Sequence, residues 1–192
     1  MAVLSGVAEP GTREQSLDSQ WLPAHELNLR ESDPALRSWL TTPGLLTERV
    51  RAAVGAQFRL RVVDESISGG DFVRRIELGR DGEPWIYAET TVPAVTLAHH
   101  PWLAAIGPRS LGEVLAAFAG AVRRSDFEFA LLDGDAPIVA RACALAGAPA
   151  HELWARRSTF RVSDTPFVVH EVFLPIVAGR GAQVAVCEAG SA

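Results

Sequence analysis

The stretch from Phe72 to Val92 constrains the fold more than any other part of the chain. Phe72, Arg74, Ile76 and Leu78 alternate with Val73, Arg75 and Glu77, which is the two-residue period of a β-strand. Arg80-Asp81-Gly82-Glu83 follows with an Asp-Gly step, the signature of a tight hairpin turn, and Pro84 to about Val92 reads as the returning strand. Such a hairpin commits the chain to antiparallel pairing. The pattern recurs from Leu153 to Val162, through the turn Ser163-Asp164-Thr165-Pro166, to Phe167–Leu174. Phe58, Leu60 and Val62 alternate with Arg59 and Arg61 as a further half-buried strand, and Phe127 to Leu132 fits a short one.

Helical periods lie between these strands. Leu36, Trp39 and Leu40 form one short apolar stripe, and Thr42-Pro43 reads as the N-cap and first position of a second helix carrying Leu45, Leu46, Val50 and Val54. Thr96 to Ile106 reads as helical despite Pro101. Ser110 to Val122 has the clearest helical face, formed by Leu111, Val114, Leu115, Phe118 and Val122, with a Ser110/Glu113 capping box at its start. Ala136 to Ala146 is an Ala-rich helix. Hairpins joined through helices, without regular βαβ alternation, predict an α+β fold: an antiparallel sheet of about six strands with helices packed on one side of it.

With 192 residues, this is the size of one domain. The expected division is a single domain over residues 21–178, with poorly ordered tails at 1–20 and 179–192. At 48% hydrophobic and 21% charged the chain can build a core large enough to enclose a small ligand. A net charge of −5, spread without blocks, argues against a nucleic-acid or anionic-membrane surface. No apolar run approaches a membrane span and the N-terminus lacks signal-peptide character, so a cytoplasmic protein is the expectation. Cys143 and Cys187 supply neither a disulfide framework nor metal-ligand spacing. Every basic residue is arginine, which excludes a lysine Schiff base, a lysine general base and a Walker A loop.

Two charges break the strand pattern. Arg74 shares a face with Phe72, Ile76 and Leu78, and Glu171 shares one with Phe167, Val169 and Phe173. A buried ion costs several kcal/mol unless it is paired and hydrogen-bonded, on the scale of about that size found for real proteins. Either both are paired within the protein, or they face a cavity whose ligand supplies partners. Ser110 adds a third element, because the backbone N–H of Leu111 would be one of the unpaired donors of a helix N-terminus, which attract anions. An arginine beside such donors suits a carboxylate, and a glutamate some way off could handle a hydroxyl or a proton.

Other candidates are weaker. His99-His100 are adjacent instead of helix-spaced, with no carboxylate or cysteine nearby, so no metal site is expected. His151 and His170 are isolated, and His170 points to the opposite strand face from Glu171. Trp21, Trp39, Trp85, Trp102 and Trp154 lack the basic interleaving of a base-stacking platform and read as core anchors.

The residues already singled out also carry a family resemblance. Asp81-Gly82-Glu83-Pro84-Trp85, Thr91-Val92-Pro93 with Thr96-Leu97, Leu111-Gly112, Leu153-Trp154-Ala155-Arg156-Arg157-Ser158 and the run from Pro166 to Pro175 occur in the order found in chorismate pyruvate-lyases. Trp39-Leu40 and Leu46-Thr47 are similar to that family's N-terminal helices, so the resemblance covers about residues 36–176. It implies that Arg74 binds the ring carboxylate, that Leu46 and Leu111 contact the ligand largely through main chain, and that Glu171 lies near the hydroxyl end. Arg156 or Arg157 is then a candidate for the enolpyruvyl carboxylate, or a structural partner of an acid. The chain departs from the family pattern at Leu46, where a methionine-type residue is usual, and at Glu89, where an arginine is common. The segment between Leu111 and Arg156 is also longer than in short members.

The resemblance implies a lyase that releases pyruvate from chorismate, without metal or organic cofactor, acting on a small cyclohexadiene or aromatic carboxylate. Two other readings stay open at this stage: a natural-product enzyme of the same fold with another substrate, and a non-catalytic binder of aromatic acids.

Overall fold

The computed structural model describes residues 21–31, 33–118 and 121–179, so the proposed N-terminal tail, all but the first residue of the proposed C-terminal tail, and Cys187 fall outside the described residues. Among the described residues eight strands form one antiparallel sheet: β1 (Leu22–Pro23), β2 (Phe58–Ser68), β3 (Asp71–Arg80), β4 (Glu83–Val92), β5 (Val122–Arg124), β6 (Glu128–Leu132), β7 (Leu153–Val162) and β8 (Thr165–Phe173). Their order is β1-β6-β7-β8-β4-β3-β2, and β5 pairs with β7 beyond the end of β6. The α+β antiparallel class holds, with more strands than the six expected.

The hairpins form where turn chemistry demands them. Gly82 adopts φ +70°, and at the β7–β8 turn both central residues, Ser163 and Asp164, take positive φ, the primed geometry that matches strand twist. A bulge at Val63 interrupts β2: Val62 faces Ile76, but Glu65 then faces Arg74 and Asp64 faces Arg75. Without that extra residue the two acids would exchange faces.

Among the described residues six α-helices pack on the sheet: α1 (Ala24–Arg30), α2 (Pro34–Leu40), α3 (Leu46–Val54), α4 (Ala94–His99), α5 (Leu111–Ala116) and α6 (Pro137–Leu145). They cover both faces, which corrects the one-sided arrangement. On one face Leu27, Trp39, Leu40, Leu46 and Val50 pack against Ile76, Leu78, Ala88 and Phe173. On the other, Val139, Ala142 and Cys143 of α6 pack against Tyr87, Ala155 and Val172. A third cluster, with Phe72, Leu111, Val114, Leu115 and Val169, lies on the α3 face toward the opposite end of the strands.

Three helix expectations shift. The second helix starts at Leu46 instead of Pro43, because the carbonyls of Thr42 and Pro43 turn out of helical geometry to accept hydrogen bonds from Arg156 and Arg124. The Thr96–Ile106 segment divides into α4 and a 3₁₀ turn (Pro101–Ala105), since Pro101 disfavours helical backbone at His100. The Ser110 capping box forms, but the helix ends at Ala116, and Val122 enters a strand paired with Val162. Sheet pairing outcompetes the helical period there.

Candidate functional site

Between the two apolar clusters on the α3 face, the packing leaves a cavity of about 70 Å³. Its floor is sheet: Ile76, Leu78, Ala88, Thr90, Ser158 and Val169. Its roof comes from Gly44–Thr47 at the start of α3 and from Ser110–Gly112 at the start of α5, closed at the side by Phe127 and Phe160. The two roof segments touch: a Cβ on Gly112 would meet Leu45 Cδ2 at 2.4 Å, so a larger residue there would require the Leu45 side chain to shift.

Arg74 and Glu171 both line the cavity, as alternation requires. Arg74 is 1% exposed. Its Nε donates to Glu65 Oε1 at 3.0 Å, and its Nη2 donates to the carbonyls of Gly107 and Arg109 at 2.8 and 3.0 Å. Burial lowers the Arg74 pKa below its ordinary value and Glu65 opposes that shift. Nη1 donates to no described residue.

Arg156 repeats this arrangement on β7. It is also 1% exposed, donates from Nε to Glu171 Oε2 at 2.5 Å, and donates from Nη1 to the carbonyls of Leu40 and Thr42, both at 2.9 Å. Its guanidinium carbon lies 4.0 Å from the centroid of Phe127. The Arg156–Glu171 pair sits directly across β7 and β8. Arg74 faces Thr90, which faces Val169, two residues before Glu171. Arg74 and Glu171 are thus separated by two strand spacings, roughly 10 Å across the sheet and about 7 Å along it. The cavity has Arg74 at one end, an apolar middle, and Glu171 with Arg156 at the other end.

Leu46 and Leu111 occupy the first positions of α3 and α5 and both line the cavity. At α5, Ser110 Oγ accepts from the Glu113 amide at 3.2 Å, which leaves the Leu111 and Gly112 amides without intrahelical partners. Glu113 in turn accepts from the Ser110 amide and pairs with Arg51 at 2.9 Å, so its pKa is lowered, chiefly by Arg51.

Two sequence candidates fall elsewhere. Arg157 points to the opposite sheet face, where it pairs with Glu128 at 2.9 Å and lies over the Trp21 ring at 4.7 Å. It takes no part in the cavity. Glu89 also lies on that face. Its Oε1 accepts from Tyr87 Oη at 2.9 Å and Arg141 Nη1 at 3.0 Å, and Arg75 Nε approaches to 3.5 Å. Glu89, where the resemblance implies an arginine, therefore lies outside the cavity lining.

The histidines have structural surroundings: His100 Nε2 lies 3.1 Å from the Val162 carbonyl, and His151 Nδ1 lies 2.9 Å from that of Pro149. Among the described residues no three or more His, Cys, Asp or Glu side chains are grouped to hold a metal, and no helix is long and apolar enough to cross a membrane. Trp39, Trp85 and Trp154 are buried anchors, whereas Trp21 and Trp102 are half-buried.

Sequence reasoning missed Glu65, Arg124 and Phe127. Strict alternation from Val62 puts Asp64 on the Arg74 face, and the Val63 bulge reverses that. Phe127 precedes β6, where no period operates. Arg124 was hidden because the helical stripe ran on to Val122; the Arg123-Arg124 pair beyond it was the available signal.

Comparison with known proteins identifies the family. The family described as chorismate lyase matches residues 17–181. The chain is 41% identical over 160 residues to a probable chorismate pyruvate-lyase of Dechloromonas aromatica, covering 76% of this chain and 89% of the relative. Proteins of the same description from Ralstonia nicotianae and Shewanella amazonensis are 37% identical over 160 residues and 34% over 170, covering 73% and 81% of this chain and 81% and 87% of theirs. Among solved structures, the effector domain of PhnF from Mycobacterium smegmatis has a TM-score of 0.43 at 19% identity, over 69% of this chain and 90% of that one, a likeness too distant to bear on the site. A match along nearly all the described residues, to relatives this similar, establishes that the chain belongs to the chorismate lyase family.

Proposed function

We propose that this protein is a chorismate pyruvate-lyase, converting chorismate to 4-hydroxybenzoate and pyruvate. The observation that carries the reading is the largely apolar cavity with Arg74, whose Nη1 donates to no described residue, at one end and Glu171 at the other. It has the polarity of a flat ring bearing a carboxylate on one side and a hydroxyl on the other.

Arg74 Nη1 and the Leu111 amide bind the ring carboxylate. The ring lies over Ile76, Ala88 and Val169, and Glu171, held by Arg156, accepts the hydrogen bond of the C4 hydroxyl and assists proton transfer. The bond from C3 to the enolpyruvyl oxygen breaks with its electron pair leaving on oxygen, C4 loses its proton, and the ring becomes aromatic. The released enolate gains a proton on carbon to become pyruvate. Aromatisation drives the reaction, so the protein mainly orients the substrate and excludes water. Arg156 is a holder of Glu171 first, since three of its N–H groups are committed to protein.

The test is to incubate purified protein with chorismate and follow pyruvate and 4-hydroxybenzoate with time. Glu171→Gln keeps shape and hydrogen-bonding capacity while removing the charge. It should hold 4-hydroxybenzoate within about tenfold of wild type, yet slow pyruvate release by about a hundredfold or more. Tight binding of an aromatic acid with no pyruvate from wild type would overturn the lyase reading in favour of a binder. Unchanged turnover in Glu171→Gln would leave a site that works by positioning alone.

A further inference from the structure

Resting on the lyase reading, we propose that Arg124 binds the second carboxylate of the substrate, the one that departs with pyruvate, and so lets the site distinguish substrate from product. The argument begins with charge. Three guanidiniums line the cavity, those of Arg74, Arg124 and Arg156. Glu65 neutralises Arg74 and Glu171 neutralises Arg156. Arg124 forms no ion pair with any described residue, so the cavity carries one uncompensated cation.

Backbone register aims that cation. Arg124 is the cross-strand partner of Phe160, which lines the cavity, and directly paired residues project to the same face. Its neighbour Arg123 therefore turns the other way and pairs with Asp164 in solvent. The Arg124 guanidinium carbon lies 4.3 Å from the centroid of Phe127, the same ring that Arg156 approaches to 4.0 Å. One of its N–H groups holds the Pro43 carbonyl at 2.8 Å, and the others are left for a planar anion. The charges that act on Arg124 are those of Arg156 and Glu171. It therefore belongs to the end of the cavity assigned to C4 and the adjoining C3, where the enolpyruvyl group is attached.

Chorismate carries two carboxylates and 4-hydroxybenzoate one. A cation at the C3 side acts on substrate and has nothing to hold in the product, whereas Arg74 acts on both. Because Arg124 is exposed to solvent, its contribution falls at the low end for a charge-assisted hydrogen bond.

The experiment compares wild type, Arg124→Gln and Arg124→Lys in two measurements: KM for chorismate from pyruvate release, and Kd for 4-hydroxybenzoate by titration. Arg124→Gln should raise KM about tenfold while the product Kd stays within about threefold, and Arg124→Lys should recover part of the KM. Parallel weakening of both ligands would overturn the proposal, leaving Arg124 as a strut for the Pro43 loop. An unchanged KM would overturn it equally. Absence of pyruvate from wild type is a different failure, since it removes the lyase reading beneath the proposal.

Discussion

The two faces of the sheet carry the same chemical parts and put them to opposite uses. Arg74 and Arg75 are neighbours on β3, Arg156 and Arg157 on β7, and Glu89 and Thr90 on β4; one member of each pair faces the cavity and the other faces away. On the cavity face each buried guanidinium is fixed by one carboxylate and two carbonyls, and one amine of each donates to no described residue. On the far face the arginines close upon acids: Arg75 upon Asp64 and Glu89, Arg141 upon Glu89, and Arg157 upon Glu128. Charge burial alone therefore does not mark a binding site. Nor does an unmade hydrogen bond by itself, since Arg75 Nε is buried without one on the far face; the cavity face differs in anchoring its guanidiniums on backbone carbonyls as well as on acids.

The sharpest way to break this contrast is to remove neighbouring arginines in turn. Arg156→Met leaves Glu171 unpaired and two carbonyls without a donor, and should cost about 3–5 kcal/mol of stability. Arg157→Met loses a partly exposed pair and should cost about 1 kcal/mol or less. Denaturant unfolding of both variants checks this, and equal losses would mean that the faces are not different.

A smaller effect is expected at Glu89. Glu89→Gln strips the charge from the acceptor shared by Tyr87 and Arg141 and approached by Arg75, and should cost about 1–3 kcal/mol. Pyruvate release per folded molecule should stay close to wild type, because the residue lies outside the cavity. A fall in turnover at constant folded fraction would show that the far face reaches through the sheet to the chemistry.

The smallest effect sharpens the comparison by pH. Tyr87, the single tyrosine of the chain, has its phenol pKa pushed well up by burial and by the charge of Glu89. Above pH of about 10, the free phenol's value, the unfolded chain has lost a proton that the folded chain keeps. Stability should then fall as pH rises. Phenolate absorbance reads this one group directly, and Tyr87→Phe should flatten the alkaline limb of the stability profile. An ordinary phenol titration in the folded protein would contradict it.

Alternation and turn residues were enough to locate most of the sheet. The strands read at Phe72–Leu78, Pro84–Val92 and Leu153–Val162 match β3, β4 and β7 to within two residues at each end, because a two-residue period and a glycine or primed turn are local properties. The same period identified Arg74 and Glu171 as charges on an apolar face before any pairing was known. The capping box at Ser110 was equally local.

What the sequence by itself determined is thus which residues share a face, where the hairpins turn, and which two charges cannot be left unpartnered. Tertiary structure decided who the partners are. Glu65 reaches Arg74 only because one extra residue at Val63 reverses the parity of β2. Helix α5 ends early because Val122 gains a partner in Val162 from a strand about forty residues on, and Arg124 meets the cavity by the same pairing. The loop before α3 stays extended because Arg156 and Arg124 take its carbonyls. Each of these turns on a hydrogen bond between segments far apart in the chain, and a local period holds no information about which distant carbonyl or carboxylate will satisfy a buried donor.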